Sequence, residues 1–126
     1  MRAVDTNVLV RLIVRDDVRQ ATAADHFIEK GAWAPVLALA ETVSVLSAVY
    51  GMNAAGIATA VDMLLDHKDL TLQDSDVVLA ALDLYRARPA LGFSDCLMLH
   101  LAKKAGHLPL GTFDRTLAKV EGARKL

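Results

Sequence analysis

Asp5, Glu41, Asp95 and Asp114 are the residues whose types and settings in this chain could do chemistry. Asp5 ends a short apolar run and opens the polar trio Asp5-Thr6-Asn7. Glu41 interrupts the most apolar stretch, with Leu37 four residues before it and Val45 four residues after it on one helical face. No Lys or Arg lies between Lys30 and Lys68, so Glu41 has no local cation. Such a carboxylate is expected to be buried, and burial without a partner is costly and raises the pKa. A distant arginine would be the purely structural explanation. Asp95 stands with Ser94 at a predicted helix start after Ala90-Leu91-Gly92-Phe93. Ser94 could cap that helix equally well, which leaves Asp95 for another role. Asp114 lies just beyond a predicted strand, in Gly111-Thr112-Phe113-Asp114. Each acid alone has an ordinary reading as a helix cap or a solvated charge.

Brought together, the acids would concentrate negative charge that only a cation could offset. An all-carboxylate set with no nearby His or Cys selects hard ions, Mg²⁺ or Mn²⁺, over zinc or copper. Such ions polarise a phosphoryl oxygen and lower the pKa of bound water, which is what phosphodiester hydrolysis requires. Thr6, Asn7 and Thr112 could orient ligands or water behind the carboxylates. Competing chemistries lack their residues. His26, His67, His100 and His107 form no HExxH pair, and there is no GxSxG or GxxxxGK[ST] segment. His100 reads as a packed residue between apolar neighbours. Cys96, the only cysteine, reads as inert core, and it rules out an internal disulfide or a cysteine-based zinc site.

The elements that must position these acids follow from apolar spacing and breakers. A first strand over Arg2 to Val4 leads into a turn where Asp5, Thr6 or Asn7 caps a helix starting near Val8. Val8, Leu9, Leu12 and Ile13 recur on one face of that helix. In an open α/β sheet the ligand crevice lies at the carboxyl ends of the strands, which is where Asp5 sits. Further helices are predicted over Val18 to Lys30, Val36 to Tyr50, Ala55 to His67, Asp74 to Arg88, and from Ser94-Asp95 through Ala105. The third and fourth of the six helices read as a hairpin. Strands are predicted at Ala32 to Ala34, Leu70 to Leu72 and Leu108 to Thr112, with a short helix opened by Asp114 and an edge strand at the end. Strands separated by helices predict a parallel sheet with helices on both faces.

At 126 residues the chain is expected to form one domain, burying roughly two-thirds of its unfolded surface. The apolar share of 54% is high, yet no run approaches the ~18 residues of a membrane span, and no signal-peptide pattern opens the chain. A cytoplasmic protein is the expectation, with some apolar surface reserved for a partner. The formal net charge of −1 argues against a simple polybasic binder. It is unevenly spread: residues 1 to 85 carry twelve acids against six Lys and Arg, and residues 86 to 126 carry three against eight. The last third could therefore face a polyanion, although ordinary solvated helix faces account for the charge equally well.

Four segments in order carry a family resemblance over essentially the whole chain: Val4-Asp5-Thr6-Asn7-Val8-Leu9-Val10-Arg11, Leu39-Ala40-Glu41-Thr42-Val43, Gly92-Phe93-Ser94-Asp95-Cys96-Leu97 and Gly111-Thr112-Phe113-Asp114. The chain resembles PIN-domain proteins, and specifically the VapC-type toxins of bacterial toxin-antitoxin pairs. The resemblance implies a single PIN-like domain over residues 1 to 126, with a five-stranded parallel sheet flanked by helices on both faces. It implies that Asp5, Glu41, Asp95 and Asp114 converge on Mg²⁺ or Mn²⁺. The implied activity is a metal-dependent endoribonuclease in which an activated water, not the RNA 2′-OH, attacks in line. It also implies a homodimer and a small VapB-like antitoxin that covers the helices near the acids. The apolar faces of the first helix and of the Val36 to His67 hairpin are the places to look for these partners. Arg11 and Arg15 would help place RNA, and Arg86, Arg88, Lys103, Lys104, Arg115 and Lys119 could contact phosphates. Cys96 departs from the pattern, since a small residue such as alanine is commoner beside that aspartate.

Two other classes of function are open. A PIN-like module that binds RNA or protein without cutting would need no metal. A phosphotransfer fold with an aspartyl nucleophile, such as a haloacid-dehalogenase-like phosphatase, would place a second acid where Asn7 stands. A response-regulator-like receiver would need an adjacent acid pair before the first helix and a lysine after a late strand, and neither is evident. Covalent aspartyl-phosphate formation distinguishes both phosphotransfer folds from a nuclease that uses water.

Overall fold

No strand of this protein exceeds three residues, whereas its α-helices run from eight to thirteen. The computed structural model describes residues Met1 to Leu126. They form two compact units, Met1–Ser75 and Asp76–Leu126.

The first unit runs β1 (Arg2–Ala3), α1 (Thr6–Ile13), α2 (Val18–Ile28), β2 (Ala32–Ala34), α3 (Val36–Ala48), α4 (Ala54–Asp66), β3 (Leu70–Leu72). The strands pair in parallel in the order β1-β2-β3, with Ala3 opposite Trp33 and Trp33 opposite Thr71. A pair of helices makes each crossover, the connection that parallel strands require. Side-chain caps start the helices where the sequence offers them. Asp17 accepts from the Gln20 N–H at 3.0 Å, and Asn53 accepts from the Gly56 N–H at 2.9 Å, each occupying an N–H that the helix leaves without a partner. Leu9, Ile28, Leu39, Leu46, Val61 and Leu64 are almost wholly buried and form the core with Ala32 and Ala34.

The second unit runs α5 (Ser75–Ala87, whose first residue falls at the boundary), a 3-10 turn (Pro89–Leu91), α6 (Phe93–Ala105), β4 (Leu110–Thr112), a second 3-10 turn (Leu117–Lys119) and β5 (Ala123–Lys125). Val78, Leu82, Cys96 and Leu97 are buried here, and the Tyr85 and Phe93 rings meet edge to face at 5.8 Å. Gly106 ends α6 in the left-handed conformation, with φ of 81°.

Three expectations are corrected. The five-stranded sheet is instead a three-stranded and a two-stranded parallel sheet. Strands this short carry few backbone groups, and those of β4 go to the final segment, through Leu110 N–H to Gly122 O at 2.8 Å and Leu126 N–H to Thr112 O at 3.0 Å. Cover on both faces fails in the first unit, where Ala3, Trp33 and Thr71 share one face and all are exposed. Ser94 and Asp95 do not cap α6. Gly92 holds the N-cap position without a side-chain bond, and both residues lie within the first turn.

Candidate active site

Asp5 follows β1 and Pro35 follows β2, so the carboxyl ends of two neighbouring parallel strands open side by side. A cleft of about 410 Å³ lies there, lined by Val4, Asp5, Thr6, Leu37, Ala38 and Glu41 among others. This is the crevice position expected of a parallel α/β sheet. Asp5 is the N-cap of α1: its Oδ1 accepts from the Val8 N–H at 3.2 Å. Glu41, one turn into α3, accepts a hydrogen bond at its Oε2 from Thr6 Oγ1 at 2.7 Å. The first turn of α1 and the middle of α3 thus bring two of the four sequence-marked acids to one cleft, with Thr6 between them.

The burial inferred for Glu41 is corrected. The residue is exposed, and Leu37 on the same face is 67% exposed. Leu37 lines the cleft instead of a core, and Val45 is half-buried. Water and the Thr6 hydroxyl, rather than a distant arginine, therefore satisfy the carboxylate.

In the second unit Asp114 sits just past β4 in a tightly bonded turn. Its N–H donates to Thr112 Oγ1 at 3.0 Å, and its Oδ1 accepts from the Leu117 N–H at 2.9 Å, opening the 3-10 turn. Asp95 lies half-buried in the first turn of α6. Burial, and secondarily the charge of Asp114, push its carboxyl above the usual aspartate value. A cation bound at Asp95 would offset both its burial and the neighbouring negative charge. The adjacent Cys96 is buried, and its thiol is pushed up to about 11 by burial and then by Asp95, so it is inert at neutral pH.

The donor set is all oxygen and suits a hard divalent ion in chemistry. The structure gathers no group of three or more His, Cys, Asp or Glu side chains that could hold a metal ion. What it provides is two acid pairs, Asp5 with Glu41 in one unit and Asp95 with Asp114 in the other.

The basic positions are of several kinds. Arg11 is held inside the first unit by Asp16 Oδ1 at 2.7 Å and Gln20 Oε1 at 2.6 Å. Arg15 pairs with both carboxylate oxygens of Asp25, at 3.1 and 2.5 Å, and Lys104 Nζ meets Asp76 Oδ1 at 3.0 Å. These pairs hold the Asp25 and Asp76 carboxyls below their usual range. Arg86, Arg88, Arg115 and Lys119 are exposed. Lys103 rims a cavity of about 280 Å³ with His100, whose imidazole is held below its ordinary value by burial and then by Lys103. Asn7 lines a second groove, of about 380 Å³, with Val8, Ala23, Ala24 and Phe27 between α1 and α2. Sequence reasoning passed over Phe113, which is 78% exposed, and the exposed Arg124 and Lys125 of β5. Their only signal was composition, an aromatic and several cations close to a marked acid.

The family model for the PIN domain matches residues 2–123 of this chain. No curated protein matches it in sequence. PIN domains are generally metal-dependent nucleases. The match spans both units and all four marked acids, and the chain belongs to the PIN-domain family.

Proposed function

We propose that this protein is a Mg²⁺- or Mn²⁺-dependent endoribonuclease whose working carboxylates are Asp5, Glu41, Asp95 and Asp114. One observation carries the reading. Asp5, Glu41 and Asp114 each have one carboxylate oxygen held by a protein donor, from Val8, Thr6 and Leu117 respectively. Each is thereby held in position while its second oxygen is left for a ligand. A carboxylate serving only as a cap has no need of such a neighbour at a strand end, and here the pattern occurs in both units. Asp95, half-buried and opposed by the charge of Asp114, gains most from a cation.

Bound to these oxygens, the ion would polarise the phosphoryl group and supply a water of lowered pKa. The protein's own tasks are then positional. Thr6 holds Glu41 through Oε2, Thr112 fixes the Asp114 backbone through its hydroxyl, and the cap at Asp5 ties its carboxylate to the rigid start of α1. Asn7 lies beside them on α1, at the groove shared with α2.

The toxin role in a VapBC-type pair belongs to the same proposal. The groove floored by Val8, Ala23, Ala24 and Phe27 and the exposed Leu37 of α3 and Met63 of α4 are apolar surface suited to a small antitoxin or a second copy.

The test is cleavage of a structured RNA pool by the purified protein with Mg²⁺ or Mn²⁺, beside an EDTA control and Asp5→Asn. Metal-dependent cuts lost in both controls establish the activity, and mapping the new ends locates the target. Equal behaviour of wild type and variant, with RNA still bound, would replace the enzyme by a binding module.

A further inference from the structure

We propose that Phe113 is a stacking platform for an unpaired base of the nucleic-acid substrate, set beside Asp114. The inference takes its substrate class from the nuclease reading above.

Phe113 is 78% exposed, the most exposed aromatic ring among the large hydrophobic residues on the surface. It does not sit on a loose loop. Thr112 before it is pinned by Leu126 N–H to its carbonyl at 3.0 Å, and Asp114 after it by the Thr112 hydroxyl at 3.0 Å. Asp114 is held further along by the Leu117 and Ala118 N–H groups, at 2.9 and 3.0 Å. The backbone on both sides of the ring is therefore fixed before any ligand arrives, which lowers the ordering cost of binding.

The surroundings select the ligand. Lys125 lies in register with Thr112 and Arg124 with Gly111, and Arg115 follows Asp114, all three exposed. Continuing that register sets the exposed Leu126 opposite Phe113 as an apolar neighbour. The charged residues around the ring are cations, which attract phosphates, and a carboxylate proposed for the cleavage centre. Cations along a backbone path with an aromatic face for a base are the elements of single-strand recognition. A duplex keeps its base faces covered, so the strand must be unpaired near the cut.

The test is fluorescence anisotropy of a short labelled single-stranded RNA of mixed sequence, with Mg²⁺ replaced by Ca²⁺ so that binding is read without cutting. Phe113→Ala, Phe113→Leu and Phe113→Trp are compared with wild type, each checked by circular dichroism and gel filtration. Loss of one base–aromatic stack predicts roughly 5- to 150-fold weaker binding for the alanine variant. The leucine variant should fall with alanine and the tryptophan variant should stay with wild type. A probe carrying abasic nucleotides should bind wild type more weakly and show little further loss in Phe113→Ala. Wild-type RNA binding that is unchanged in Phe113→Ala, or fully kept in Phe113→Leu, overturns the platform while leaving the nuclease reading intact. A change of oligomeric state in Phe113→Ala also overturns it, since the ring then serves contact between copies. A wild type that binds no RNA overturns the nuclease reading and this inference together.

Discussion

Thr6→Val removes one hydroxyl and keeps the side-chain shape, so it isolates the hydrogen bond from Thr6 Oγ1 to Glu41 Oε2 at 2.7 Å. A hydrogen bond to a charged acceptor nets ~1.5–3 kcal/mol in a protected setting. Glu41 is exposed and water competes for it, which brings the expected loss to about 1 kcal/mol. If Thr6 acts by holding Glu41 for the reaction, the loss appears in kcat as about a fivefold fall, with KM for RNA little changed. The fold should hardly notice. Thr6 is only half-buried at the start of α1, and Val and Thr have similar helix propensities, so a melting shift of no more than about 4 °C is expected. The assay is initial-rate cleavage of a fluorogenic RNA at saturating Mg²⁺, with Thr6→Ser as the variant that restores the donor. The decisive arm is a double-mutant cycle with Glu41→Gln. In that background Thr6→Val should cost little more, because the charged acceptor is gone. A full fivefold loss persisting in Glu41→Gln refutes the claim that Thr6 works through Glu41, and so does a Thr6→Ser variant as slow as Thr6→Val.

Asp5 joins two roles that separate by substitution. Asp5→Asn should abolish metal-dependent cleavage at nearly unchanged stability, because Asn caps a helix as well as Asp. Asp5→Ala should lose the cap as well, at about 1 kcal/mol in urea unfolding. Asp95 has its carboxyl pushed up in the folded state by burial and then by Asp114, so the fold binds that proton more tightly than the unfolded chain does. Its contribution without metal therefore turns unfavourable as pH rises from the unfolded aspartate value of ~3.9 through the raised folded value. Thermal melts in EDTA should find Asp95→Asn stabilised relative to wild type at neutral pH, with the difference closing at acid pH. A gap that widens toward acid would contradict the assignment. Gly92 holds φ 80° and ψ 143°, a conformation essentially confined to glycine, at the start of α6 ahead of Asp95. Nothing crowds its missing Cβ, so Gly92→Ala tests backbone strain alone and should cost ~1–3 kcal/mol in urea unfolding.

Local signals in the sequence determined most of the element order. Of the first-helix stripe, Leu9 and Leu12 are buried and Val8 and Ile13 half-buried, and β2 and β3 occupy the predicted residues. A cap among Asp5, Thr6 and Asn7 was legible for the same reason, since it depends on the bonding of a few neighbouring residues. The four acids were legible as anomalies of type and place, and the family match over residues 2–123 contains them all. What needed the tertiary structure was every question of what faces what. Leu37, Glu41 and Val45 spell an apolar face in sequence, yet periodicity gives a direction around a helix and not the side on which solvent lies, so Glu41 proved exposed. Its bond to Thr6 joins segments 35 residues apart and has no local trace. Strand pairing is equally non-local. Segments of two or three residues do not specify their partners by pattern, and the backbone groups of β4 went to β5 in a separate two-stranded sheet.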